Sequence, residues 1–355
     1  MKNPAAKYRL RLRRTAFAVF ALTVAALAAA AFSLRWRGEG QEQMNFEPAP
    51  EQVFAVFGNS FAVCSSTQLQ VFDKNGRSVL TQAVSAPEPG LAASDTALAV
   101  WSAGSPGLTV VGPEGEAESL ETSGGVLAVS ANALGMFAVV TDDPDYLGLV
   151  TVYDAALEPV YRWYAATAWP IAAALSPGGD MLAVLAASEE GGQLRLFSLA
   201  SEAEQARFTA PDEVFFELGW LDGGLCLISG GRAVFLDAQG TQTGEYAFGS
   251  LRLADYGFGG DFAVLALADA GRTRLVSLDG SGKVLGSLDT ERALVQLDAE
   301  NGKIAALYSD GAAVYNRNLT ERGKGAEAAG AQALLLRGDG ETIAVFPGAA
   351  KPGLV

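Results

Sequence analysis

The densest group of side chains able to do chemistry is the run TDDPDYLG at 141–148, where Asp142, Asp143 and Asp145 crowd three carboxylates beside proline and glycine. Calcium takes oxygen ligands of this kind from loops, but the spacing matches no EF-hand. The plainer expectation is a solvated acidic loop, with the three aspartates as weak calcium candidates. The next concentration is aromatic, in VYRWYAATAW at 160–169. On a strand, Tyr161 and Trp163 share one side while Arg162 and Tyr164 share the other. Packing between sheets is one role for this stretch. An exposed platform for a sugar or peptide, built from Tyr161, Trp163 and Trp169, is the alternative.

Several chemistries are excluded outright. The chain of 355 residues has no histidine, which removes Ser–His and Cys–His nucleophiles and every histidine-containing metal site. Its two cysteines, Cys64 and Cys226, fall on equivalent strands of repeats one and five, on opposite sides of a ring of eight. That is too far apart for a disulfide, so both are read as small buried apolar residues. Forty acidic residues guarantee that some pair will sit at glycosidase spacing by chance, so that arrangement is not diagnostic. No cofactor is expected.

The elements that position these residues are repetitive. An apolar core recurs as FAVCSS (61–66), LAVWSA (98–103), FAVVTD (137–142), LAVLAA (182–187), LCLISG (225–230), FAVLAL (262–267), IAALYS (304–309) and IAVFPG (343–348). Successive copies lie 37 to 45 residues apart, the period of a β-propeller built from four short strands per blade. Seven cores are followed by a second β-rich run and a turn opened by Asp73, Gly112, Asp154, Ser198, Asp237, Asp279 or Asn316. Such side chains hydrogen-bond the turn backbone and glycine closes it, so these residues are expected to make hairpins between the third and fourth strands. Ahead of each core lies another strand-like run, such as VFFELGW (214–220). The fold class is therefore all-β, an eight-bladed propeller, with seven blades and one core as an insertion as the alternative. The final repeat is short, and QEQMNFEP (41–48) is expected to supply its missing outer strand.

Charge divides the chain. Residues 1–37 hold eight lysines or arginines and no acid, leaving 17 basic and 40 acidic residues beyond, a net −23. That surface repels nucleic acid. Residues 1–14 read as a basic cytoplasmic tail, 15–34 (TAFAVFALTVAALAAAAFSL) as an uncharged span of one bilayer thickness, 35–45 as a linker and 46–355 as the propeller. Six basic residues before the span against two after it place the propeller outside the cell membrane. A cleaved signal peptide is the competing reading.

A basic tail, one apolar span and repeats of the kind VFDKNG, VYDAAL and LSPGGDMLAV resemble bacterial membrane-anchored propellers of the broad WD40-like and quinoprotein-like superfamily. Within it the chain is most similar to an uncharacterised domain-of-unknown-function family of single-pass proteins. The resemblance covers nearly the whole chain but rests on repeat grammar. No repeat carries the GH…WD signature of WD40 blades, and the tryptophan-docking repeats of quinone-dependent dehydrogenases are missing, so no quinone is implied. The expected function is a tethered, non-enzymatic binding module for a protein partner or an envelope component. The alternatives are a carboxylate-based carbohydrate hydrolase or lyase, and a sensor coupled through a membrane partner.

Overall fold

The structure, a computed structural model, describes residues 43–201 and 203–353. Every recurring core is a second strand, from Ser60–Cys64 and Leu98–Ser102 through Phe262–Asp269 to Thr342–Phe346. These strands are apolar and buried along most of their length, as expected for strands covered on both faces. Each pairs antiparallel with the run before it and the run after it. The fold is propeller-like and all-β, with six four-stranded sheets and one of seven strands among the described residues.

The seven-stranded sheet has a local cause. The strand Ala117–Ala131 pairs through Ala117–Leu120 with Pro106–Val111, then through Val126–Ala131 with Phe137–Thr141. It serves as the fourth strand of one repeat and the first strand of the next. Glycine permits the passage, because a Cβ on Gly125 would lie 2.5 Å from the Gly104 carbonyl oxygen.

Buried clusters lie between successive sheets. Cys226, Ile228 and Phe235 of one sheet meet Leu265, Leu267 and Val276 of the next. The circuit closes where Ile343, Val345 and Ala350 meet Phe61, Val63 and Phe72. Closure also joins the two ends of the described chain. Met44–Asn45 pairs with Ala349–Pro352 as the outer strand of the last sheet, which is the role expected for 41–48. This strand begins inside the stretch assigned to the linker. The first strands run side by side around the centre, and Ala333–Leu336 returns to lie beside Val53–Phe57.

The turns follow the sequence reading. Asp73, Asp154, Asp237, Asp279 and Asn316 each accept the N–H groups two and four residues on. At Asp279, hydrogen bonds from Ser281 and Lys283 outweigh burial and hold the carboxyl below its usual range. Asp279→Ala strands these donors and is expected to cost about 1–2 kcal/mol in chemical denaturation. Asp279→Asn, which reproduces Asn316, is expected to cost under about 0.5 kcal/mol. Equal losses for the two variants would contradict the capping role.

The membrane span expected at 15–34 lies outside the described residues, as does the basic tail. Among the described residues no helix is long and apolar enough to cross a membrane.

Candidate binding surface at the top of the ring

Strand direction divides the loops into two sets. Loops from fourth to first strands and from second to third strands share one end of the ring, here called the top. Five consecutive first strands carry a β-bulge close to that end. The second-strand register skips Leu127, Ile171, Phe216, Ala254 and Val295 in turn. A bulge leaves its extra residue out of the ladder and re-aims the side chains next to it.

Both consequences are visible. The extra residues form an apolar crescent, with Leu127 45%, Phe216 44% and Val295 49% exposed, Ala254 exposed and Ile171 half-buried. Three of the residues that follow, Glu217, Asp255 and Gln296, stitch the ring. Asp255 Oδ2 accepts the Leu297 N–H at 2.6 Å, and Gln296 Oε1 accepts that of Leu334 at 2.9 Å. Deeper in the wall, Asp298 Oδ2 accepts the Leu336 N–H at 2.6 Å. First strands have no ladder partner on the central side, so these bonds satisfy donors that would otherwise be orphaned. Burial pushes the carboxyls of Asp255 and Asp298 up.

The crescent continues from Val295 into a cleft of about 560 Å³ lined by Val53, Phe54, Ala333 and Leu335, with Glu51 and Gln52 on its lip. The charge around it is one-sided. Among the described residues, the top loops between strands carry thirteen carboxylate side chains and one cation, Arg292. Among the described residues the bottom loops carry eleven carboxylates and five cations. Three of the top carboxylates, Glu213, Glu291 and Asp310, are held in ion pairs.

The residues singled out in the sequence are dispersed across this geometry. Asp142 Oδ1 accepts the Gly125 N–H at 2.6 Å, and Asp143 Oδ1 accepts those of Asp145 and Tyr146 at 2.9 and 3.0 Å. These carboxylates brace their own loop and the neighbouring strand. Among the described residues no group of three His, Cys, Asp or Glu side chains is placed to hold a metal. Tyr161 and Trp163 pack against Phe197, with ring centres 6.1 and 5.4 Å away, inside a cluster between two sheets. Trp169 is 54% exposed. It lines a second top cleft of about 460 Å³ with Thr167, Glu189, Glu190, Arg195 and Arg207. The proposed aromatic platform therefore reduces to Trp169, because Tyr161 and Trp163 belong to the packing. Both thiols are free and buried, and burial pushes that of Cys64 up to about 11.

Sequence reasoning missed Phe216 and Val295. VFFELGW reads as a continuous apolar run, and nothing in its pattern marks where the ladder skips a residue.

A ring of antiparallel sheets, closed by a strand from each end of the described chain, defines a propeller-like all-β fold. Residues 39–196 match the profile of a family of unknown function, DUF5711. No curated protein matches the chain. Among solved structures it is similar to Sqt1 of Saccharomyces cerevisiae, with a TM-score of 0.66 and 11% identity over 89% of this chain and 99% of that one. It is also similar to BamB of Moraxella catarrhalis, with a TM-score of 0.56 and 12% identity over 88% and 99%. The computationally designed protein Ika8 gives a TM-score of 0.66 at 13% identity over 89% and 100%. At these identities the likeness is one of fold.

Proposed function

We propose that this protein is a non-enzymatic binding module that holds a protein partner or envelope component on the top face of an eight-bladed ring. The ring is displayed outside the cell membrane on the span 15–34, with residues 1–14 in the cytoplasm. The apolar crescent carries the reading: solvent-facing Leu127, Phe216 and Val295 recur at equivalent bulges along one arc of the mouth, and exposed apolar side chains gathered on one face mark interaction sites. The count of eight rests on eight second strands and on Ala117–Ala131 belonging to two repeats. A non-catalytic role is supported by Asp255 and Asp298, whose carboxylates are committed to backbone donors of the wall. The asymmetry of basic residues around 15–34 supports the orientation.

A photo-crosslinking residue placed at Phe216 or Val295 in the full chain is expected to capture one discrete partner in cells. The same residue at Leu134, exposed on a bottom turn, is expected to capture none. Capture from Leu134 alone would overturn the assignment. Orientation is tested separately by a cysteine introduced at Val295. Cys64 and Cys226 are buried, so a membrane-impermeant maleimide should label intact cells only through the new thiol. Labelling confined to lysed cells would refute an external propeller.

A further inference from the structure

We infer that the top face takes a cationic amphipathic segment of a protein partner, an inference that rests on the crescent being the binding surface. The crescent alone selects only for apolar side chains. Its surroundings select the charge, because among the described residues the top loops hold thirteen carboxylates to one cation, Arg292, and Arg292, like Arg232 and Arg272 on the strand ends beside those loops, is already ion-paired. The remaining top acids include Glu51 beside Val295 in the 560 Å³ cleft, and Glu189 and Glu190 beside Trp169 in the 460 Å³ cleft. The first cleft thus couples apolar surface to a carboxylate with no cation in its lining, while in the second Arg195 and Arg207, already bound to Glu204, share the lining with Glu189 and Glu190, and Glu190 acts on Arg207. The whole segment beyond residue 37 carries a net −23, so the long-range field agrees with the local one. An acidic or polyanionic segment meets a net excess of like charge in the top loops. A purely polar cationic segment leaves the crescent exposed to water. A segment with an apolar stripe flanked by lysine or arginine satisfies both, with charge governing approach and the stripe governing residence.

The test uses the full chain in nanodiscs of zwitterionic lipid and fluorescent peptides of about 18 residues, long enough for an apolar stripe on one helical face. One peptide carries leucine and lysine, a second carries leucine and glutamate, and a third carries lysine with serine in place of leucine; empty nanodiscs give the background. Only the leucine–lysine peptide is expected to bind. Its affinity should fall about tenfold or more between about 50 and about 500 mM salt, since exposed charges are screened over that range. Phe216→Ser with Val295→Ser should weaken it about tenfold, the size of effect that loss of an apolar anchor produces. Glu189→Gln with Glu190→Gln, which alters surface charge alone, should weaken it at low salt without changing the fold, while Leu134→Ser should leave it unchanged. Equal binding of the two leucine peptides, lost in the double serine variant, would overturn the charge assignment and leave the crescent in place. Leucine–lysine binding that ignores the double serine variant would overturn the crescent itself.

Discussion

Replacing Glu204 by alanine is expected to destabilise the protein by about 3–5 kcal/mol, because it leaves a buried guanidinium without its counter-charge. Glu204 Oε2 accepts from Arg195 Nη1 at 3.1 Å and from Arg207 Nη2 at 2.9 Å, while Oε1 accepts from Arg207 Nε at 2.7 Å. The Arg195 side chain is only 8% exposed and lies 5.4 Å over the Trp163 ring. Burial, followed by the like charge of Arg207, lowers the Arg195 pKa, and the charge and hydrogen bond of Glu204 oppose that shift. Burial alone would raise the Glu204 pKa, but hydrogen bonds from Arg207 and the two positive charges outweigh it and the carboxyl sits below its usual range. A depressed carboxyl contributes stability above the unfolded-state value and loses it as pH falls through the folded one. Urea midpoints of the native chain should therefore drop on acidification below the ordinary glutamate range, and those of Glu204→Ala should drop less. Arg195→Met combined with Glu204→Leu, which removes both charges, is expected to recover most of the loss. A single-variant cost under about 1 kcal/mol would show that the pair is a surface interaction.

The second large effect is expected from Phe235→Ala, again about 3–5 kcal/mol, through lost transfer energy and the cavity left behind. Phe235 is fully buried among Cys226, Leu265, Val276 and Leu278, where two sheets meet. The same truncation at Phe216, whose ring only approaches Tyr256 at 6.3 Å, is expected to cost under about 1 kcal/mol. Urea unfolding of the two variants separates them. A Phe216→Ala cost approaching that of Phe235→Ala would place Phe216 in the core and remove it from the crescent.

This contrast shows where sequence stops being informative. Second strands such as FAVLAL and turns such as that at Asp279 are specified locally, by continuous apolarity and by a side chain that caps its own loop. The burial of the two cysteines also followed from strand position and period, whereas strand position left Tyr161 and Trp163 open between packing and an exposed platform, and their contact with Phe197 in the neighbouring sheet favours packing. A bulge is different. At the skip at Val295, Gln296 accepts the Leu334 N–H of the neighbouring sheet, a partner 38 residues away. In Ala117–Ala131 the chain continues from one sheet into the next without a break, while the sequence shows only a glycine pair. Asp142 and Asp143 attracted interest by density, but their partners are backbone N–H groups, which composition does not reveal.

The seam between Met44–Asn45 and Ala349–Pro352 has a mechanical meaning. Two residue pairs, Met44 with Ala350 and Asn45 with Ala349, plus the bond from the Phe46 N–H to the Gly348 carbonyl at 3.1 Å, hold the outermost strand of the last sheet. Tension pulling on the amino-terminal side of Met44 loads those pairs first, before any longer ladder bears force. Peeling the strand away uncovers Ala350 and withdraws Met44 and Phe46 from the cluster around Phe61. The circuit thus has a defined fuse at its amino-terminal edge.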